Sequence, residues 1–412
     1  MRTAPRSSGS ATHTGIFVSE RWDEANKPGW TSQFRGIVDR RVAQGFTVYQ
    51  ANLMATATQG HELGGTPRYW RRPFDELNVS FFQDVVDPRM AYLAESGLVT
   101  ALGLGWYPLV DTDLEGVKHF ARYVVARYGA YPMVWTLGGE VAGYEPELRQ
   151  SRIDRWREVA LTIRDVDGYQ HPITAHAAAE RPIAPYCQDE DWLTLTLNQH
   201  GHGDFDLSTS HYGEHLAAYP GRPLVEGESL YEGLHTLESA GRRQVTDTMV
   251  RQAAYRAVQS GCCGYTYGAQ GCWNAAWEPG HHASMWGDVP WYESVDLTGA
   301  EQLGYMRRFY ENVGWARLRP ADSCFRASLA LNNDAYAPRV TADEKMSTVI
   351  LHFGEAFLTG LPDLPYAMHW FDPRTGTCSV AGNGRRPVAG ELALAARPDG
   401  RDWLLVVQGE AG

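Results

Sequence analysis

The chain has 412 residues, 43% of them apolar and 21% charged, and a formal net charge of −12. This is the composition of a folded globular protein, and its acidic balance argues against nucleic acid or an anionic membrane surface as the partner. The length exceeds one small domain and fits a barrel of about 250–300 residues with a smaller module attached.

Residues 1–14, MRTAPRSSGSATHT, contain no apolar h-region. They read as a flexible N-terminal tail rather than a secretory leader. No run of about 18 apolar residues follows anywhere, so no membrane span is expected. The six cysteines, Cys187, Cys262, Cys263, Cys272, Cys324 and Cys378, show no metal-ligand spacing. The expectation is a reduced, cytoplasmic protein with no cofactor and no metal.

Residues 15–18 are a short apolar strand ending at Ser19-Glu20-Arg21-Trp22. Residues 31–44 place Phe34, Ile37, Val38 and Val42 at helical spacing, and Gly45 closes the helix. Residues 46–50 form a second strand. Residues 82–96 are helical, closed by Gly97, and 98–104 form a third strand ending at Trp106. A helix over 116–128 leads to the fourth strand, Met133-Val134-Trp135-Thr136-Leu137, which Gly138 and Gly139 stop just before Glu140. Then come a helix over 152–166, strands over 172–176, 192–199 and 223–228, a helix over 246–259 and a strand over 262–267.

Eight strands, most followed by a helix and punctuated by glycine, make about eight strand-then-helix units and spell a (β/α)₈ TIM barrel over 15–320. A doubly wound sheet would show GxGxxG or a P-loop at its first turn, and neither is present. From Asp322 the pattern becomes β-rich runs at 326–331, 347–353, 366–371 and 403–407. This predicts a small antiparallel β-sandwich over 321–412.

In a parallel barrel, reacting groups stand at the carboxyl ends of the strands. Glu140 ends the fourth and Glu228 the seventh, so both face one mouth. Glycosidic hydrolysis wants such a pair, one protonated to give its proton to the leaving oxygen, the other to attack the anomeric carbon or activate water. The plainer reading is that one or both only pair with arginine or cap a helix. Glu226, two residues before Glu228, is expected on the same side one layer deeper, and is the rival nucleophile. His176, His200 and His202 also permit a metal-dependent hydrolase, although no histidine ends the expected first strand. The loop over 268–291 holds Trp273, Trp277, Trp286 and Trp291, which either stack on sugar or pack the loop down. The candidate sugar-binding set from the first half of the chain is Glu20, Trp22, Gln50 and Trp106. From the second half it is His176, Gln199, His202, Glu226, Tyr231, Tyr267, Trp273, Trp291 and Glu293.

The motifs are Arg40, Val42 and Ala43 with Gly45 to Val48 and Gln50, Ala126 to Gly129, Val134-Trp135 to Glu140, Gln199 with His202, Glu226-Gly227-Glu228 with Tyr231-Glu232, Tyr265 to Gly271 with Trp273, Pro290-Trp291 with Glu293, and Trp370 to Gly376. On these the chain resembles the apiosidase-like glycoside hydrolases, barrels followed by a β-sandwich labelled collagen-binding, from about Phe17 onward. The resemblance implies a retaining glycosidase with acid/base at Glu140 and nucleophile at Glu228. The paired carboxylates, the aromatic mouth loop and the missing secretion signal point to exo action on a small oligosaccharide or glycoside, apiosidase-related and so furanoside- or pentoside-like, and the sandwich is read as structural. Apiosidase-type members carry Asp where this chain has Glu140 and Glu20. One methylene moves a carboxylate by roughly 1–1.5 Å, where catalytic placement holds to about 0.5 Å, so a sugar other than apiose is implied. The partner is a small saccharide. A homo-oligomer and a binding protein of the same fold without turnover stay open.

Overall fold

The computed structural model describes residues 9–15, 17–20, 22–23, 25–54, 68–179, 183–187, 190–202, 210–236, 243–277, 289–327, 339–341, 346–351 and 356–410. Seven parallel strands curl into one sheet, in the spatial order Met133–Gly139, Val99–Trp106, Val48–Asn52, Gly9–Thr14, Gly264–Ala269, Leu224–Glu228, Thr196–Gln199. Residues 172–176 fill the gap between the two end strands. They pair with both as isolated parallel bridges, Trp135↔Ile173 and His176↔Leu197. Counted as the fifth stave, this segment closes the expected eight-staved barrel. It is the least regular stave because Pro172 has no N–H to give; its carbonyl accepts from Trp135 N at 2.9 Å.

The first stave corrects the sequence reading. It is Gly9–Thr14, not 15–18, so the expected tail is structural from Gly9 on. Its partners are Ala11↔Val48 on one side and Ser10↔Tyr265 on the other. GSATHT lacks an apolar run because its two faces do different work. Thr12 accepts from Arg41 Nε on the outer helix at 3.1 Å, while His13 turns into the barrel. Phe17 and Val18, which suggested the strand, are buried in the following connection, Phe17 against Phe34 and Tyr49.

The outer helices follow the apolar spacing. Gln33–Gln44 starts where Ser32 Oγ accepts from Arg35 N and stops at Gly45, whose φ of 94° suits glycine. The helix expected over 82–96 is broken instead. A π turn, Phe82–Val86, precedes the α-helix Asp87–Glu95, and Pro88 at the start of that helix removes one ladder donor. Leu114–Tyr128, Arg149–Val166 and Asp247–Gln259 match the sequence reading within a few residues. Ser210–Ala218 and Thr298–Val313 were not anticipated. The second packs its apolar stripe on the barrel and ends at Gly314 in the left-handed region (φ 73°). No helix among the described residues is long and apolar enough to cross a membrane.

The C-terminal part is antiparallel. One sheet runs Leu318–Pro320, Arg339–Thr341, Met346–Leu351, Trp403–Gly409, Tyr366–Asp372, Thr377–Arg385; the other runs Phe325–Ala327, Ala356–Thr359, Glu391–Ala393. Of the run expected over 326–331, residues 328–331 lie outside the described residues. Leu358, Met368, Trp370, Leu392 and Leu405 form the core between the two sheets. Arg251 of the barrel, 2% exposed, bolts the parts together with a bidentate pair to Asp402 at 2.7 and 2.8 Å. Beside it, Phe309 packs on Phe371.

Candidate active site

The fourth stave ends in two glycines because neighbours crowd it. A Cβ on Gly138 would stand 2.8 Å from the Gly105 carbonyl oxygen, and one on Gly139 would stand 2.8 Å from the Trp106 ring. Glu140 follows with φ 51°, a left-handed backbone that a non-glycine residue adopts only when its surroundings impose it. The turn is tied by Gly143 N to the Glu140 carbonyl at 2.7 Å and by Val141 N to the His176 carbonyl at 3.0 Å. The Glu140 side chain is thereby aimed into the mouth. Its Oε1 accepts from Tyr144 O–H at 2.5 Å and from Gln199 Nε2 at 3.3 Å.

Glu228 ends the seventh stave, 4% exposed. Gln199 is its neighbour in register, so one amide stands beside both carboxylates. Three imidazoles surround Glu228. His202 Nε2 lies 2.9 Å from Oε1, His176 Nε2 lies 3.0 Å from Oε2 without hydrogen-bond alignment, and His13 Nδ1 lies 3.7 Å from Oε2. Tyr231 stands beside them, its oxygen 2.5 Å from His13 Nδ1.

These surroundings push the two carboxyls apart. Burial, and then the charge of Glu228, raise the pKa of Glu140, against the hydrogen bonds from Tyr144 and Gln199. Burial alone would raise Glu228 too, but His176, His202 and the field of His13 hold it well below the ordinary range. Burial would lower His176, yet its contact with Glu228 raises it above the usual imidazole value. Burial pushes His13 down to about 4.

The structure brings Glu140, Glu228, His176, Gln199, His202 and Tyr231 together. Trp106 borders them in register with Gly139, and Trp273 stacks near Tyr231 at 5.8 Å. Among the described residues, the buried Trp106 and Trp273 indole N–H groups and the Gln199 amide oxygen find no hydrogen-bond partner. Such atoms call for a polar ligand.

Other expected members lie elsewhere. Glu20 is buried against the Arg89 guanidinium and accepts from Phe34 N at 3.0 Å, which makes it a packing carboxylate. Trp22 packs on Phe34 and Tyr92 under Arg35. Gln50 spans the barrel interior, its Nε2 on the Gly227 carbonyl at 3.1 Å. Tyr267 donates to Glu232 at 2.6 Å, and Glu232 accepts from Gly299 N at the start of the helix Thr298–Val313. Trp291 is buried with its N–H on Asn26, and Glu293 is exposed.

Glu226 is a further correction. The register slips by one residue between Asn198↔Glu226 and Gln199↔Glu228, and a one-residue slip sends a side chain to the other face. Glu226 therefore meets Asn198 Nδ2 at 2.6 Å, His200 N at 3.0 Å and Tyr212 O–H at 2.8 Å, not the cluster. His200 turns toward His211, away from His176 and His202. No group of three or more His, Cys, Asp or Glu that could hold a metal occurs among the described residues. Trp277 is partly exposed, and Trp286 lies outside the described residues.

Sequence reasoning missed His13 and Tyr144. His13 fell in the supposed tail, where only the Thr-His-Thr alternation could have signalled a stave. Tyr144 sits four residues past the strand end, brought back by the turn at Gly143 (φ 63°).

A family model described as "Apiosidase-like, catalytic domain" matches residues 20–317. No curated protein matches the chain. A solved structure described as "Glycoside hydrolase" is 19% identical, with a TM-score of 0.81 over 98% of this chain and 93% of that one. A glycoside hydrolase family 5 structure from Bacteroides vulgatus is 16% identical, with a TM-score of 0.78 over 98% and 89%. A putative glycoside hydrolase from the same organism is 13% identical, at 0.68 over 97% and 78%. At these identities the likeness shows the fold.

Proposed function

The chain belongs to the apiosidase-like family of glycoside hydrolases, and we propose that within it this protein is a retaining exo-glycosidase using Glu140 as acid/base and Glu228 as nucleophile. The observation that carries the reading is the opposite displacement of two carboxyl pKa values at one barrel mouth. Environments that separate a pair of titratable groups assign which is acid and which is anion.

Glu140 holds its proton and gives it to the glycosidic oxygen as the bond breaks. Its Oε1 already accepts two donors, so the proton sits on Oε2. Glu228, ionised, attacks the anomeric carbon and forms a glycosyl ester, its charge steadied by His176 and His202. Water then enters; Glu140, now a carboxylate, takes a proton from it, and attack on the ester releases the sugar with its configuration retained. Trp106, Gln199 and Trp273 supply unsatisfied polar atoms and aromatic faces for sugar hydroxyls and C–H faces. The family points to a furanoside or pentoside-like glycone on a small glycoside. The extra methylene of Glu140 over the Asp of apiosidase-type relatives supports a glycone other than apiose.

A panel of aryl furanosides and pyranosides, followed by NMR of the first-formed anomer, tests the reading. Release with retained configuration, abolished in Glu228→Gln, is expected. An inverted first product, or full activity in both Glu140→Gln and Glu228→Gln, overturns it.

A further inference from the structure

Tyr144 stands where the buried acid meets solvent. Its O–H lies 2.5 Å from Glu140 Oε1, yet the residue is 45% exposed. The hydroxyl points at a buried carboxyl, so the exposure falls toward the ring. That ring meets Tyr107 edge-on, with 6.1 Å between centroids. Tyr107 follows the third stave and Tyr144 the fourth, whereas His13, His176 and His202, the imidazoles against Glu228, come from the first, fifth and sixth. The two tyrosines therefore belong to the Glu140 side of the mouth.

The loop that carries Tyr144 is held down. A Cβ on Gly143 would stand 2.2 Å from Arg152 Nη1 and 2.8 Å from Tyr107 Cδ2, so the turn closes over these two side chains only as glycine. Arg152, buried on the helix Arg149–Val166, pairs with Asp111 at 2.9 and 2.8 Å and with Glu145. Its guanidinium lies 4.7 Å from the Tyr107 ring centre. Glu140, Tyr144 and Tyr107 are thus fixed relative to one another before substrate arrives.

The direction of the Tyr144 bond is set by the second half of the reaction. Once Glu140 has given its proton away, its carboxylate has no hydrogen to offer, so the phenol is the donor. A bond donated to the charged form favours that form. It helps the leaving group depart and keeps Glu140 ionised to take a proton from water. The leaving group begins at the oxygen that Glu140 protonates, while the glycone lies between Glu140 and Glu228. Its way out runs along the Glu140 side, past Tyr144 and Tyr107.

We propose that Tyr144 couples the acid/base to the leaving group: its O–H positions the Glu140 carboxylate, and its ring, with Tyr107, walls a leaving-group subsite that takes a ring, the second sugar of a disaccharide or an aryl group. The proposal rests on the assignment of Glu140 as acid/base. Both kinds of ring present faces that pack on a phenol. The other groups facing Glu140 are Glu228 of the seventh stave, His176 of the fifth, Gln199 of the sixth and Tyr231. Asp111, Glu145 and Arg152 act on Tyr107.

The test compares methyl, benzyl and cyclohexylmethyl glycosides, whose alcohols are of similar acidity, on the sugar that the aryl panel identifies. Wild type should favour at least one ring-bearing glycoside over the methyl one by about 2- to 10-fold in kcat/KM, the scale of one aromatic contact. Tyr144→Phe should keep that preference and Tyr144→Ala should abolish it. A larger preference for benzyl points to an aryl leaving group, and a larger one for cyclohexylmethyl to a sugar ring. Both variants should move the basic limb of kcat/KM to higher pH, because each removes a donor to the carboxylate. Tyr144→Phe should also lower the plateau by about 10-fold, the lower end for one hydrogen bond to a charged group, since the charge on Glu140 is only partly formed in the transition state. A wild type indifferent to the ring, a preference that survives Tyr144→Ala, or an unmoved limb in Tyr144→Phe overturns the proposal. Tyr144→Phe removes one oxygen from a half-exposed side chain, so folding does not confound it. Glu140→Gly with azide and a 2,4-dinitrophenyl glycoside reports the acid/base separately. Azide entering the space left by the carboxyl attacks the glycosyl ester, frees the Glu228 carboxylate and gives a glycosyl azide of retained configuration. With that product and an unmoved limb, only the Tyr144 role falls; without it, the Glu140 assignment falls.

Discussion

Glu140→Gln removes one titrating proton and little else. The amide oxygen can take the two donors now on Oε1, from Tyr144 and Gln199, and the amide nitrogen replaces the oxygen that carried the proton. The side chain is 8% exposed, so bulk water cannot stand in for the lost acid. General acid catalysis is worth about 10²–10⁴-fold, or about 3–5 kcal/mol of barrier at 1.36 kcal/mol per decade. The expected loss in kcat/KM is therefore about 10³-fold on an alkyl glycoside, and under about tenfold on a 2,4-dinitrophenyl glycoside, whose leaving group needs no proton. The pH profile gives a second readout. The raised pKa keeps Glu140 protonated to higher pH, and the lowered one keeps Glu228 ionised to lower pH, so the wild-type plateau lies between them and its basic limb belongs to Glu140. That limb should vanish in the variant. Stability gives a third. With its folded pKa above the unfolded value near 4.5, Glu140 contributes stability that is full below that pH and is lost as pH rises through the folded pKa. The amide does not titrate, so urea denaturation should show the variant gaining on wild type as pH climbs through that window. Equal losses on both substrates, or a basic limb left intact, would refute the assignment.

Gly268→Ala would put a Cβ 1.9 Å from Tyr231 Cδ1, forcing the ring away from Glu228. Misplacement by about 1 Å costs up to about 10²-fold, and a kcat within twofold of wild type would show that Tyr231 is not part of the machinery. Asp402→Ala strands the buried Arg251 guanidinium between Asp247 and Gln302. Breaking such a pair costs about 3–5 kcal/mol, with kcat/KM of the folded fraction unchanged; a urea-denaturation loss under about 1 kcal/mol would mean that the barrel and sandwich do not depend on it. Trp273→Ala should raise KM by about 2- to 10-fold, the scale of one aromatic contact, and an unchanged KM removes Trp273 from the sugar site.

The barrel was legible because strands such as Val99–Trp106 and Met133–Gly139 are apolar on both faces and its helices carry a stripe, which is what burial demands. Two kinds of element escaped. The first stave, GSATHT, earns its place through hydrogen bonds and a buried imidazole, and neither leaves a hydrophobic period. The helix Thr298–Val313 lies between the loop read over 268–291 and the expected end of the barrel at 320, a stretch to which the sequence reading assigns no element. Glu140 was legible because a strand, two glycines and a carboxylate form a local signal. Glu20, Tyr267 and Trp291 were misplaced for the converse reason. Each is a motif residue of the right type, but its partners Arg89, Glu232 and Asn26 are set by tertiary packing, which spacing cannot report.

Glu226 and Glu228 show where sequence reasoning meets its limit. Strict alternation sends both carboxylates to one side, stacked, and leaves exposure at the strand exit as the only ground for choosing. One extra residue in this strand, Gly227, against the neighbouring stave changes the question. With Gln199 opposite Glu228 rather than opposite Gly227, the two glutamates face different worlds. Glu226 accepts from an amide, a backbone N–H and a phenol, all neutral donors, and burial leaves its pKa raised even against the field of the His200 imidazole. Glu228 meets imidazoles that can carry charge, and its pKa falls. A nucleophile must be anionic at working pH and reachable by the anomeric carbon. Glu226 is the less favoured on the first count, its pKa being raised where that of Glu228 is lowered, and the slip turns it from the cluster on the second. Had the ladder run true, both carboxylates would have crowded the same three histidines, and mutual repulsion would have raised one of them. The bulge is thus what lets this strand carry two acids two residues apart in surroundings that displace their pKa values in opposite directions.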